Sequence, residues 1–532
     1  MIKVKKRMMI FLSGIMIISL PVLSSARLYE QLPLHAKALS LANAVTAHPP
    51  GHMAIHYNPA GLSLLGEGFI YSQGFSFAAV IRDDHFKGNP TVSFSNRWNA
   101  SDDPVSNASN SGHDRRAYFP FLGHVDLPFS IAPIPISFSY RYPGSKWTFA
   151  YSIYAPESWS YKHASDDPAR FQGESYYQQH IIYASPSVSC QLTERLSMGV
   201  SLALGQSALG MKSDLRMVNK FMADTLDLGG TSSTAGDPSI NAFDNIAEMD
   251  LELRDDLAPS INIGLLWKPL DRLTLGVSYQ SPIFRRLEGD FEIVYTDEFI
   301  KVINGLSGSL TDFQSIVSSL NPLGQKGTVL INNFYHPQQA HLGFMFEPNE
   351  KLRMLIDVHW QNWESIDDQV FEFSDNVELF SLLNYQQKRE NNKLQYVRSF
   401  EDVFNWSFGL EYQVKESICL RLGYERRSYA GEDKYFDLFS YPDSNLIGAG
   451  LGIKLKNSVN VDLGAGYLFS DTYHIEEGAS QNLNQAQNPL NNPYPGQSYS
   501  TNINAYILSF NVAMPLDVFK QSMNAFIHRF VH

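Results

Sequence analysis

The feature that most limits what this chain can become is a two-residue alternation that keeps returning along its length. Leu196, Met198, Val200, Leu202 and Leu204 hold one parity, while Ser197, Gly199, Ser201, Ala203 and Gly205 hold the other. The pattern recurs in Trp147, Phe149, Tyr151 and Ile153 against Thr148, Ala150, Ser152 and Tyr154. It recurs again in Trp406, Phe408, Leu410, Tyr412 and Val414 against Ser407, Gly409, Glu411 and Gln413. A period of two belongs to a β-strand with two unlike faces. A soluble sandwich also alternates, so the content of the faces decides. Here one face is large, apolar and aromatic at its ends, and the other is Gly, Ala, Ser, Thr and isolated charges. That suits an exterior in contact with lipid and a polar interior.

Other classes fall away on composition. After the N-terminus no apolar stretch reaches the roughly 18 residues of a membrane-crossing helix. A formal charge of -13 without a basic stripe disfavours nucleic acid. Hydrophobic residues at 44% and aromatics at 13% exceed what a disordered chain carries. At the N-terminus, Lys3, Lys5, Lys6 and Arg7 precede an apolar run from Met8 to Leu20, and Ser24-Ser25-Ala26 forms a cleavage site. Residues 1–26 therefore read as a signal peptide for export. Cys190 and Cys419 fall on opposite face patterns and are expected to be free thiols.

Connections count the strands. Tight turns are expected at Pro143 to Lys146, Leu192 to Arg195, Lys268 to Asp271, Glu347 to Lys351, Lys415 to Ser417 and Lys456 to Ser458. Seven long polar segments begin near Arg82, Pro156, Met211, Thr296, Glu364, Ala430 and Asp471. Six short and seven long connections join fourteen antiparallel strands, with both termini on the short-turn, periplasmic side. The expected fold is an all-β transmembrane barrel over residues 69–516. An N-terminal plug over 27–68 precedes it, and an amphipathic tail over 517–532 follows.

The segment Ala38 to Leu65, ALSLANAVTAHPPGHMAIHYNPAGLSLL, resembles the N-terminal hatch of the FadL family. Its members are outer-membrane transporters of long-chain fatty acids and other hydrophobic compounds. SKWTFAYSIYAP from Ser145, LTERLSMGVSLAL from Leu192 and WSFGLEYQVKESICLRLGY from Trp406 resemble later stretches of the family. The resemblance implies a fourteen-stranded barrel with a hatch in its lumen. Cargo would enter between the loops after strands five and seven and leave sideways at a kink in strand three. The implied partners are a hydrophobic small molecule and outer-membrane lipid with lipopolysaccharide, for a monomer without a cofactor. A structural or adhesive barrel is the alternative.

Candidate residues follow. Asn58, Pro59, Ala60 and Gly61 form the hatch gate, where Pro59 prevents a continuous helix and Gly61 permits a sharp turn. Tyr154, Ala155 and Pro156 end the third run at the kink, because a strand proline needs a missing ladder bond. There the family usually follows the proline with an aromatic and a glycine, whereas this chain has Glu157 and Ser158. Leu215, Val218, Phe221, Met222 and Leu226 approximate one helical stripe, and Phe313, Ile316, Val317 and Leu320 a second, with Thr311 as N-cap. These stripes either dock ligand or pack the loops together.

Inward-facing Arg353 and Arg421 either receive a carboxylate head group or pair with Asp357, Glu425 and Asp462. His48, His52 and His56 are broken by Pro49, Pro50 and Gly51, so no metal site is expected. Gly-x-Ser-x-Gly is absent and no Ser and His arrangement suggests an enzyme. In the tail, Phe519, Met523, Phe526, Ile527 and Phe530 share a helical face that lies on the membrane or closes the lumen.

Overall fold

The computed structural model describes residues 33–113, 116–119, 123–126, 130–132, 135–216, 218, 223, 241–300, 321–366, 368–383, 390–436, 440–476 and 492–531. The signal-peptide segment lies outside them. Fourteen antiparallel strands form a closed barrel: β1 (Gly68–Gly88), β2 (Ser109–His113, Ser130–Ala132 and Ile136–Arg141), β3 (Trp147–Lys162), β4 (Ser175–Ala184 and Ser187–Thr193), β5 (Leu196–Arg216), β6 (Asn245–Leu270) and β7 (Leu273–Gln280 and Leu287–Tyr295). They continue with β8 (Gln325–Ile331 and Gln339–Asn349), β9 (Leu352–Gln361 and Gln369–Phe373), β10 (Lys393–Tyr396 and Val403–Lys415), β11 (Ile418–Arg427), β12 (Ser444–Lys454), β13 (Asn460–Ser470 and Tyr473–Ile475) and β14 (Gln497–Pro515). Pairing of β1 with β14, from Ile70 opposite Pro515 to Gly88 opposite Gln497, closes the sheet. The six tight turns sit where the sequence puts them. Both cysteines are free and buried.

Several strands outrun the sequence reading: β1 reaches Gly88, β3 reaches Lys162 and β5 reaches Arg216. Strand β6 shows why. In its lower half Leu257, Ile261, Ile263, Leu265 and Trp267 face outward and are exposed, while Ala258, Ser260, Asn262 and Gly264 face inward. In its upper half Glu248, Asp250, Glu252 and Arg254 are exposed, and Ala247, Met249, Leu251 and Leu253 are buried. A bulge where Gly205 opposes Ala258 and Ser207 opposes Asp255 separates the halves by one residue. The upper half thus has the polarity of a soluble protein and the lower half the reverse.

Only about 9–11 residues of a tilted strand cross a bilayer, so the 26 residues of β6 carry it well beyond the membrane. The upper interior is a true apolar core. Leu209, Met211, Leu251, Leu253, Phe291, Ile293, Val329 and Phe373 from the strands meet Phe94, Trp98, Phe243 and Phe380 from the connections.

This change of polarity predicts opposite responses on one face of one strand. Ile263→Lys should destabilise the barrel in lipid vesicles by about 2–4 kcal/mol, the cost of a cation near the midplane. Glu252→Lys, on the same outward side above the bulge, should leave the urea midpoint nearly unchanged.

Candidate functional site

Residues 34–63 lie almost wholly buried within the barrel, on the small and polar inner face of its lower half. Short helices at Ala36–Ser40 and Ala54–Tyr57 and a tighter turn at Pro59–Leu64 make up this segment. Its backbone rests on glycines of the wall. Gly409, Gly423, Gly448 and Gly466 are register partners on four successive strands, and Leu39, Leu41 and Ala42 cross them. A Cβ at Gly423 would stand 2.1 Å from the Leu41 carbonyl carbon. Such a contact requires the backbones to separate, because neither side is a flexible side chain.

Wall side chains then satisfy the backbone of the segment. Asp357 Oδ2 accepts from Val45 N at 2.9 Å and Thr46 N at 2.7 Å. Gln280 donates to His56 O at 2.8 Å, Asn262 to Ile55 O at 3.1 Å, and Asn511 accepts from Ala36 N at 2.6 Å. Asn43 donates to Glu425 at 2.9 Å. Hydrogen bonds to charged groups contribute about 1.5–3 kcal/mol each, so Asp357 is a principal anchor. Nothing in the local sequence marked it apart from its inward parity.

Within the hatch, Asn58 caps the turn that follows. Its Oδ1 accepts from Ala60 N at 3.1 Å, and its Nδ2 donates to Thr46 O at 2.9 Å and to Leu265 O on β6 at 3.1 Å. Pro59 takes the first position of that turn, where no N–H is needed. Gly61 has no positive φ. It is close approach that requires a glycine there, because a Cβ would meet Pro49 Cγ at 2.1 Å.

Burial keeps the hatch histidines neutral. His35 and His52 are lowered to about 4, and His56 to about 3, each by loss of solvation. Among the described residues no group of three His, Cys, Asp or Glu could hold a metal ion.

Arg353 and Arg421 lie near the tight-turn ends of their strands and are engaged with carboxylates. Arg421 meets Glu411 at 2.8 Å and Asp462 at 2.5 Å, and Arg353 meets Glu347 at 2.9 Å and Glu411 at 3.7 Å. Glu411 also takes Lys37 and His48 of the hatch, at 3.8 Å and 3.3 Å. The structure therefore places both arginines in the ion pairs that hold the hatch.

The third strand does not end at Tyr154-Ala155-Pro156. It bulges there and continues to Lys162, because its ladder to β4 resumes: Tyr154 pairs with Ile182 and Glu157 with His180. On the other side, pairing with β2 stops at Ile153 opposite Ile136 and returns only at Lys162 opposite His113. Among the described residues, Tyr154 to Glu157 show no ladder pairing on that side. Tyr154 packs against hatch residues Met53, Ile55 and Leu62, and its ring meets His56 edge-on at 5.6 Å.

Between the hatch and the upper core lies a polar chamber of about 50 Å³. Its lining includes His56, Gln280, Gln339, His341, His359 and Gln361. Room for a few waters and a polar lining make it a poor resting place for an apolar molecule.

Leu215 belongs to β5, paired with Ala247, so it does not begin a loop helix. The ladder persists because β6 continues beside it. Val218 is buried in the upper core. Phe221, Met222 and Leu226 lie outside the described residues, as do Thr311, Phe313, Ile316, Val317 and Leu320. The tail forms a helix, Leu516–Val531. The Phe519 ring lies tilted against Tyr71 at 4.2 Å, on the exterior of β1 beside Phe138, so the first turn is outside the lumen. The side chains of Met523, Phe526, Ile527 and Phe530 lie outside the described ones.

A family model described as outer membrane protein transport protein (OMPP1/FadL/TodX) matches residues 19–514. A Pseudomonas aeruginosa FadL homologue is similar with a TM-score of 0.63 at 14% identity, over 92% of this chain and 100% of that one. The P. putida toluene transporter TodX gives 0.60 at 14% over 92% and 99%. The Ralstonia pickettii toluene transporter TbuX gives 0.55 at 14% over 91% and 98%. These likenesses show the fold. No curated protein matches the chain.

Two outcomes test the hatch. Gly423→Val should raise amide exchange across Ala36–Ser40 while the barrel keeps its heat-modifiable migration, since overpacking costs about 1–3 kcal/mol. Acid should loosen it as well. The lowered histidines bind protons in the undocked hatch before the docked one, so docking weakens as pH falls from about 6.5 toward 4. Exchange at residues 36–64, corrected for intrinsic rates, should rise at pH 5 relative to pH 7.

Proposed function

The chain belongs to the outer membrane protein transport family (OMPP1/FadL/TodX), and from that premise we propose that it is a passive carrier of hydrophobic small molecules across the outer membrane, with a lateral exit at the β3 bulge. The observation that carries this reading is the bulge of β3 between Tyr154 and Glu157, at the height where the hatch touches Tyr154.

Cargo of this class gains nothing from a water-filled channel, because each methylene left in water forgoes about 0.8 kcal/mol. The apolar upper core offers such a molecule an entrance. The polar chamber and the buried hatch beneath it oppose a straight passage to the periplasm. An exit at the bulge beside the core leads to the bilayer, the only other apolar phase within reach. Asn58, Pro59, Ala60 and Gly61 hold the hatch shape against that exit, and Ala155 and Pro156 form it.

The toluene transporters among the similar structures support a hydrophobic cargo. An adhesive barrel would account for the closed sheet but gives no role to a bulge that abuts the hatch.

The test is uptake of labelled toluene and oleate by cells lacking their own transporter. Deleting Ala155 would restore one-to-one register between β3 and β4. The barrel should still assemble, and uptake should fall to the level of cells without the protein. Unchanged uptake in an assembled deletion variant would rule out the lateral route, and no uptake by the natural chain would rule out transport.

A further inference from the structure

At the level of the β3 bulge a buried ion pair bridges the inner wall. Glu157, the first residue after the bulge, accepts from Arg285 Nη1 at 2.9 Å and Nη2 at 2.5 Å. Gln178 of β4 donates to the same carboxylate at 3.1 Å, and His336 Nδ1 stands 3.2 Å from it. Arg285 is only 2% exposed and Glu157 only 6%. Arg285 comes from the break within β7 and His336 from the break within β8, and these two breaks are joined by the bridge of Ile283 with His336.

Order along the strands gives the height of this pair. On β7, Gln280 of the polar chamber comes below Arg285, and Leu287 of the apolar core comes above it. On β8, Phe334 of the core lies above His336, and Gln339 and His341 of the chamber lie below. The pair is therefore the floor of the apolar core, beside the β3 bulge.

A guanidinium buried beside apolar side chains is a strong attractor for a carboxylate, and a bidentate partner is the geometry it favours. Here the protein supplies that carboxylate itself. Arg427, which lines the chamber, is likewise held by Glu425 at 2.8 Å. An incoming carboxylate would have to displace a tethered partner and leave Glu157 buried without its counter-charge, which is costly. An uncharged molecule meets no such obstacle.

We propose that Glu157 determines cargo class: by occupying Arg285 at the floor of the core, it makes the passage accept uncharged hydrophobic molecules and refuse carboxylates. This rests on the transport reading above.

The experiment measures binding rather than uptake, which separates the two proposals. Full-length protein in lipid nanodiscs is titrated with fluorotoluene and with the free carboxylate of an ω-(fluorophenyl)octanoic acid, the octanoate probe, followed by fluorine NMR. Glu157→Gln frees Arg285 and should tighten octanoate binding relative to fluorotoluene by about tenfold, the equivalent of one charge-assisted hydrogen bond. The double variant Glu157→Gln with Arg285→Gln should lose that gain. An assembled Glu157→Gln protein whose ratio matches the natural chain overturns the proposal, as does a gain that survives in the double variant. Should Glu157→Gln assemble poorly, octanoate but not fluorotoluene is expected to restore its assembly. Restoration by both or by neither overturns the proposal. Failure of the natural chain to carry either compound into cells would refute transport and leave this comparison intact.

Discussion

Lipid offers no hydrogen-bond partner, so every backbone N–H and C=O that crosses the bilayer must be satisfied by the chain itself. The long seam between β1 and β14 meets that demand by leaving the sheet without an edge. Closure then creates an interior, and the rest of the molecule is a consequence of how that interior is filled. Below the bulges it holds small and polar side chains with a folded segment laid over glycines. Above them it holds an ordinary apolar core.

The meeting of these two regimes is where the structure departs from a regular barrel. Strands β3, β6, β7 and β8 each bulge or break as their inner face changes character. A one-residue slip is sufficient, because it exchanges inside for outside along the remainder of a strand. The same irregularities displace β3 by one residue against β4 and bring Arg285 to Glu157. The β3 bulge and the buried pair thus sit at one level, where the exterior changes from apolar to polar.

Much of this was legible in the sequence where lipid acts directly. The alternation in Leu196 to Leu204 and Trp147 to Ile153 follows from a solvent that every crossing strand meets at the same depth. The tight turns were readable for the same reason. Leu215 shows where the reading failed: above the bulge β5 keeps its inward parity but the inward residues become apolar, as at Leu209, Met211 and Leu215, so a continuing strand resembled a helical stripe. Gly61 was recognised as necessary, but its reason is Pro49 against it rather than a turn.

The sequence by itself determined the solvent on each side of the wall, the number of strands and the presence of a kinked segment, broken at Pro59, ahead of them. These depend on neighbours within a few residues and on a bilayer that acts alike on all strands. Only the tertiary structure decided which charges meet. Asp357 holds Thr46 from 311 positions away, and Arg285 reaches Glu157 from 128. Inward parity showed that such groups must find partners inside, since a buried charge left alone is too costly to keep. Which partner each one finds depends on the height and stagger of strands around a closed barrel, and no local pattern records that.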